Sequence, residues 1–438
     1  LRVKSKSLIE RSFKVSSLWD HHGHITMLGG QSEKINCLKV SSPEKLYLLL
    51  KKEAARKGDG EWIFGYNLNM SLWGNRNSNI EIIDRVTPNN PLLIERVDAH
   101  SAVINSLTLK KVSLNLNEEI KGGFFEKANE RYTGGVVDGT FERIMSYFSD
   151  SPPHLIEKRI KKAQVILKKN FLTGATDMMV TEAESQVYWQ MECNKKLILP
   201  VVAFLKWSKD KNIPANLFKG KMYIEEGIKV FIDGALGSRG ASLKSSYSDD
   251  RENYGVLLLD KKEIADLIEE CNKKNINIAF HIIGDRALEN FIEGYEVCSP
   301  LNIKIRLEHL QVTPPPLLKR LRKLDLILSL QPSHFLSDRK WAIKRLGKER
   351  LEYSYLLKSL IKGKKTYLFG TDFPIEPPNI KRTLRACLKR NKFEEIDILE
   401  ALKGMKAPDQ FSKFSKPCII SVTRNNNFSG IEIKYFDE

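Results

Sequence analysis

Four of the eight histidines in this 438-residue chain, and one aspartate, fall where a metal ion could be gripped. His22 and His24 sit two residues apart in Asp20-His21-His22-Gly23-His24, so on an extended strand both side chains leave the same face. His281 follows the apolar run 276–280, His309 lies just past the run 303–307, and Asp372 just past 366–369. Imidazoles with a carboxylate suit Zn2+, and Fe2+, Mn2+ and Co2+ are also compatible. A lone histidine at a strand end is commonly a satisfied polar residue. The metal reading rests on four of them, with Asp372, at matching strand ends. Lys229 lies inside the apolar run 228–232. Burial of its amine lowers the pKa, and a neutral amine there can take up carbon dioxide to form a carbamate able to bridge two cations. Equally, Lys229 snorkels to the strand end or pairs with an acid. Position alone does not choose between these.

The elements that must position these residues follow a regular rhythm. Apolar runs at 13–19, 175–180, 197–204, 228–232, 276–280, 303–307, 324–330 and 366–369 alternate with amphipathic segments such as 261–274, 286–297, 314–323 and 341–361. Such runs are the pattern of strands buried on both faces in a parallel sheet. Eight of them predict an α/β chain with a (β/α)8 barrel, whose strand ends converge on one rim. A doubly wound open sheet is the alternative, but no GxGxxG follows an early strand. His281 and His309 are spaced by about one strand–helix–strand unit, and His309 and Asp372 by about two. Thr313 before Pro314-Pro315-Pro316 reads as a helix N-cap.

The interval 29–171 is too long for one crossover and reads as an insertion after the first strand, a lid over the barrel mouth. Its Trp62 and Trp73 point to an apolar or aromatic substrate. The expected organisation is 1–28 for the first strand, 29–171 for the insertion, 172–405 for the rest of the barrel, and 406–438 for a β-rich remnant. Within the last, 417–436 form a hairpin about Asn425-Asn426-Asn427.

The formal charge is +17, and 42% of residues are hydrophobic, which excludes disorder throughout. Lys and Arg are spread along the whole chain without a basic tail, so a solvated basic surface is expected rather than nucleic-acid contact. No apolar run reaches the roughly 18 residues of a membrane span, and no signal peptide is visible. Six cysteines without a CxxC suit a reducing, cytoplasmic setting. A small-molecule substrate is the expected partner, and a homo-oligomer is compatible with the sequence.

These segments resemble the amidohydrolase superfamily, in the branch of N-substituted formamide deformylase-like metal-dependent hydrolases. The resemblance runs from about Asp20 to Met405. Asp20 to His24 looks like the family's DxHxH, and Trp62-Ile63-Phe64-Gly65 through Trp73 like its tryptophan/glycine segment. Arg96-Val97-Asp98-Ala99-His100 with Asn105, the run KVFIDGALGSR from Lys229 to Arg239, and His281 to Ala287 resemble further motifs, as do Leu307-Glu308-His309, Gln331-Pro332-Ser333-His334 and Gly370-Thr371-Asp372-Phe373-Pro374.

The resemblance implies two divalent metals. His22, His24 and Asp372 hold one, His281 and His309 hold the other, and carbamylated Lys229 bridges them. It implies hydrolysis of a C–N bond by metal-activated water, with Asp372 as the proton acceptor. Asp285, Arg306 and Glu308 would orient the histidines, and His100, Arg239 and His334 would contact substrate. An esterase or phosphotriesterase on the same centre, or a non-catalytic basic binding protein, are the rival functions. The family's β-sandwich is built from both chain ends. Here 19 residues precede Asp20 and 66 follow Asp372, so a reduced sandwich is expected. Met178 and Met179 stand where His-Asp is common in the family.

Overall fold

Eight parallel strands lie side by side in chain order: Trp19–Gly23, Gly174–Val180, Val201–Lys206, Tyr223–Phe231, Asn277–Ile282, Ile305–His309, Ile327–Leu330 and Tyr367–Phe369. The eighth returns to the first. Gly23 bridges Phe373 in parallel, and the Asp372 and His24 N–H groups donate at 2.7 Å to the carbonyls of His22 and Phe373. This closes the (β/α)8 barrel that the alternation predicts. The computed structural model describes residues 9–435 apart from 16, 32, 75, 98–100, 121–122, 148–150, 391–392, 415–416 and 425–429. The chain divides into two compact units, Leu1–Gly29 with Pro153–Glu438, and Gly30–Pro152.

Alternation along each strand sorts the side chains. On the fourth strand Ile228 and Val230 join the large core shared with the helices, while Phe231 stacks on His281 of the fifth strand, with ring centroids 4.6 Å apart. The register pairs Lys229 with Ala279 and Phe231 with His281, then His281 with Glu308, then Glu308 with Ser329. Polar groups on four neighbouring strands are thereby brought to similar heights.

Several elements depart from the sequence expectation. The run 13–19 is not one strand. Ile9–Val15 pairs antiparallel with Cys418–Arg424, which pairs in turn with Gly430–Tyr435. The first barrel strand starts at Trp19 and contains the histidine motif. The expected hairpin is present, and its turn at 425–427 lies outside the described residues. The boundary expected at 171 falls at 152, because the helix Pro153–Lys169 buries Ile156, Ile160, Ala163 and Leu167 in the barrel's own core. The segment 341–361 splits into Ala342–Glu352, interrupted at Gly347 (φ 74°), and Lys358–Ile361. The helix Pro315–Leu321 is capped by Pro314, and the Thr313 hydroxyl donates instead to the Leu310 carbonyl at 3.1 Å.

The second unit is a six-stranded mixed sheet in the order Lys34–Asn36, Ile63–Leu68, Leu92–Arg96, Ser101–Ile104, Arg131–Asp138 and Gly123–Ala128. Trp73 is 3% exposed, and its indole N–H donates to the Val40 carbonyl at 3.0 Å. It is core of this unit, which removes it as an indicator of substrate. Among the described residues no helix is long and apolar enough to cross a membrane.

The amino end of the barrel is filled by its own cluster. Phe411, on the 3-10 turn Asp409–Phe414, stacks on Trp19 with centroids 5.1 Å apart, and Met178, Val202, Phe204, Ala279 and Ala407 complete the packing. The Trp19 indole N–H also donates to Thr176 Oγ1 at 3.0 Å. Replacing Phe411 by alanine should cost about 3–5 kcal/mol through lost burial and the cavity left behind. Denaturant unfolding reads this, and an unchanged midpoint would show that the turn does not plug the barrel.

Candidate metal centre

The two outer histidines of the motif converge on one carboxylate oxygen. His24 Nε2 lies 3.0 Å and His22 Nε2 3.4 Å from Asp372 Oδ1. Their other ring nitrogens have an acceptor as their nearest partner: His22 Nδ1 is 2.5 Å from Glu308 Oε2, with the Gln331 side-chain nitrogen farther off at 3.2 Å, and His24 Nδ1 is 2.9 Å from the Met178 carbonyl. Each Nδ1 therefore carries the proton. Each neutral Nε2 then turns a lone pair toward an oxygen that also carries lone pairs. That arrangement is repulsive unless a positive charge, a metal ion or a proton on one of the rings, sits among the three atoms. His24 shows the same demand. Burial disfavours its charged form, yet the hydrogen bond and charge of Asp372 raise its pKa above the ordinary value.

Asp20 fixes both sides of this junction. Its Oδ1 accepts from the His22 N–H at 3.2 Å and the Thr371 N–H at 3.0 Å, and its Oδ2 accepts from the Thr371 hydroxyl at 2.7 Å. Asp372 and His309 adopt left-handed backbone conformations, with φ of 61° and 75°. Such conformations cost energy in non-glycine residues and concentrate at functional sites.

The remaining predicted ligands surround the same space. The His309 ring lies 4.9 Å from His22 and 4.4 Å from His281. Lys229 is 1% exposed, and its Nζ has no hydrogen-bond partner among the described residues. Neither the snorkelling nor the acid-paired reading of Lys229 holds. Burial lowers its pKa to about 8, against the opposing charges of Glu308 and Asp372. His281 Nε2 and His309 Nδ1 are likewise buried without hydrogen-bond partners. Unpaired buried polar atoms are costly, and four such nitrogens belong to this one cluster once His334 Nε2 is counted. Burial lowers the pKa of His22 to about 4 and those of His281 and His309 well below the usual value, so these imidazoles stand neutral, as metal ligation requires. Burial alone would raise the Asp372 carboxyl, but the two imidazoles beside it and the hydrogen bond with His24 hold it below the usual carboxylate range. The ligand atoms of His22, His24 and Asp372 lie within 4.8 Å of one another, as do those of His309, His334 and Asp372. The residues present fit one or two divalent cations.

Of the predicted orienting residues, Glu308 holds His22, and Arg306 holds Glu308. The guanidinium of Arg306 pairs with the Glu308 carboxylate, donates to the His21 carbonyl, reaches Ser329 Oγ at 2.8 Å and lies over the Phe204 ring. Asp285 does not touch a histidine. Its carboxylate accepts from the Lys244 N–H at 2.9 Å at the start of the helix Asp285–Glu296. The residue that steadies the His281 strand end is Asp233, which accepts from the N–H groups of Ile283, Gly284 and Ser242. Arg239 is engaged by Asp249, with two contacts at 3.2 Å, and is not among the groups converging on Asp372. His334 does join the cluster, with Nε2 3.6 Å from Asp372 Oδ2. His100 lies outside the described residues.

Asp233, Asp177 and Gln311 were not singled out from the sequence. Asp233, within the quoted KVFIDG run, carried a signal as a buried acid at a strand end. Asp177 accepts from the Ile25 N–H at 3.0 Å and the Tyr188 hydroxyl at 2.6 Å, anchoring the chain just after His24.

A closed (β/α)8 barrel with imidazoles and a carboxylate meeting at the carboxyl rim defines the class of barrel hydrolases that work with metal ions. The chain belongs to the amidohydrolase family, whose model matches residues 17–407. That membership makes it a hydrolase. It is 28% identical over 406 residues to Protein LONG AFTER FAR-RED 3 of Arabidopsis thaliana, covering 87% of this chain and 69% of that protein. It is 22% identical over 313 residues to N-substituted formamide deformylase of Arthrobacter pascens, covering 66% and 57%. A crystal structure of an uncharacterized metal-dependent hydrolase from Pyrococcus furiosus matches with TM-score 0.74 and 26% identity, covering 89% of this chain and 80% of that one.

Two outcomes follow from the packing and charge of the site. A Cβ on Gly370 would stand 2.4 Å from the His22 nitrogen and 2.6 Å from its Cβ. Gly370→Ala should therefore displace His22 and lose bound metal while the barrel's circular dichroism is kept; metal content equal to wild type would contradict this. Burial, with the Glu184 charge, pushes Asp177 up to about 7 from 3.8. The folded state thus holds a proton that the unfolded chain releases, and this group's contribution to stability falls as pH rises from about 4 to about 7. Asp177→Asn should flatten that fall in a pH series of unfolding midpoints, and a difference curve without slope in this window would refute the assignment.

Proposed function

We propose that this chain hydrolyses a C–N bond of an amide or formamide-like small molecule, using water activated by one or two divalent cations, zinc foremost. The observation that carries the reading is the meeting of His22 Nε2, His24 Nε2 and Asp372 Oδ1, with both Nδ1 atoms committed elsewhere. A divalent cation held there lowers the pKa of water to about 7 and supplies Lewis acidity. The name of the deformylase relative supports the choice of a C–N bond.

The chain's own groups divide the remaining work. The buried, partnerless amine of Lys229 is suited to add carbon dioxide. Its nitrogen forms the new C–N bond, one proton leaves, and the resulting carbamate is an anion at the centre of the barrel. Glu308 and the Met178 carbonyl keep His22 and His24 in the tautomer that ligates. Asp372, ionised and with Oδ2 turned away from those two rings, takes the proton of the attacking water and returns it to the leaving nitrogen. His281 and His309 would hold a second cation through their unpartnered nitrogens.

Dialysis against a chelator should abolish turnover and lower the thermal midpoint, since a ligand bound only by the folded state stabilises it; zinc should restore both. A panel of N-substituted formamides, linear and cyclic amides, esters and phosphotriesters then decides the bond class, and turnover confined to esters or phosphotriesters would refute the C–N reading. Asp372→Asn should remove turnover with the fold intact, whereas full activity in that variant would dismiss Asp372 as the base. Protein equilibrated with isotope-labelled bicarbonate should show a carbamate carbon signal that Lys229→Arg lacks; its absence from the wild type would remove the bridge.

A further inference from the structure

Three imidazoles turn Nε2 toward Asp372, but their Nδ1 atoms face different partners. His24 Nδ1 meets a carbonyl, and His22 Nδ1 meets the Glu308 carboxylate at 2.5 Å, which outweighs the Gln331 side-chain nitrogen at 3.2 Å. His334 Nδ1 meets the side-chain nitrogen of Gln311 at 3.2 Å, a donor. A ring nitrogen that accepts leaves the proton on the other one. His22 and His24 are therefore set as Nδ1–H tautomers with free Nε2 lone pairs, and His334 is set the opposite way.

The orientation of the Gln311 amide decides this, and its surroundings support the one described. Gln311 Oε1 has no hydrogen-bond partner among the described residues. Turning the amide over would put two unpaired N–H donors in that place. Gln311 has little freedom to move. Its carbonyl accepts the Tyr355 N–H at 2.7 Å, and the next residue, Val312, donates to the Ile283 carbonyl at 2.9 Å. His334 is 7% exposed and opens the short helix His334–Asp338.

We propose that Gln311 locks His334 as the Nε2–H tautomer, so that His334 is a hydrogen-bond donor to the substrate's carbonyl oxygen and not a metal ligand. The geometry leaves that hydrogen available. The 3.6 Å separation from Asp372 Oδ2 is too long for a hydrogen bond, and Nε2 is buried without another partner. A buried donor aimed at a reacting centre stabilises negative charge that develops on oxygen. The grouping of His309, His334 and Asp372 then looks like a ligand set by distance but is not one by hydrogen position. The inference rests on the hydrolase reading above and narrows its substrates. The carbon attacked must present an acceptor oxygen, as amides and formamides do, and amidines carrying N–H at that place are disfavoured. Gln311 acts through His334 and is a positioning residue.

The test uses the zinc-loaded full chain with isotope-labelled histidine. Nitrogen NMR should show His334, assigned by the signal missing in His334→Gln, protonated at Nε2 and not at Nδ1. Gln311→Glu should invert this, because a carboxylate accepts from Nδ1–H. Zinc content should be the same in wild type, His334→Ala and His334→Gln. Acetohydroxamate, which presents a carbonyl oxygen, should bind about tenfold more weakly to His334→Ala, the worth of one hydrogen bond, and recover in His334→Gln, whose amide can donate. Protonation at Nδ1 in the wild type, zinc lost with His334, or equal acetohydroxamate affinity in all three proteins would overturn the proposal. A wild-type chain that binds no zinc would instead overturn the metal-centre reading, and the tautomer would still be read from the same spectra.

Discussion

Asp20 accepts hydrogen bonds from His22 and Thr371, and through them one buried carboxylate ties the first barrel strand to the loop after the eighth. The barrel closes at this seam, and the candidate ligands His22, His24 and Asp372 all lie on it. The backbone hydrogen bonds that complete the ring run between the same residues. Gly23 and Gly370 leave the space this demands, since any side chain there would overlap Phe373 or His22. Closure and ligand geometry are thus one constraint.

Beneath the centre the barrel interior holds charge, which a low-dielectric interior tolerates only when it is matched. Arg306 and Glu308 neutralise each other, and Glu308 spends its second oxygen on His22. Burial alone would raise the Glu308 carboxyl, but the charge of Arg306, the hydrogen bond with His22 and the charge of Lys229 hold it well below the usual range. At the rim the amine of Lys229 and ring nitrogens of His281, His309 and His334 have no hydrogen-bond partner among the described residues. The imbalance is localised where a cation is called for.

Much of this was legible from residue types. Strands buried on both faces are nearly continuous apolar runs, so the barrel could be counted. The strand ends were misplaced for a physical reason. His281, Glu308, His309 and the whole run Trp19–Gly23 are polar or motif residues that continue their strands past the apolar stretch, so a criterion of hydrophobicity stops too early. The ligand set was legible because histidine is rare here and fell at matching ends. The supporting shell was less so. Asp285 and Asp233 are both acids next to strand ends, and the three backbone N–H groups around Asp233 are what set it apart. Gln311 carries no signal in the sequence, since an amide's role depends on which ring nitrogen it meets. Trp73 looked available and is instead packed within its own unit.

The floor of the barrel also bears on how the molecule comes to exist. Trp19 packs on Phe411 and donates its backbone N–H to the Met405 carbonyl, and His21 is held by the carbonyl of Lys406. Partners for the first strand are therefore synthesised some four hundred residues after it. During translation that strand waits, with its apolar neighbours uncovered, until nearly all of unit one has emerged. Loop closure over such a distance makes assembly slow and its precursors prone to aggregate. A truncation short of residue 405 would take away the Met405 and Lys406 carbonyls and the Phe411 ring together, leaving the strand that carries His22 and His24 without its floor.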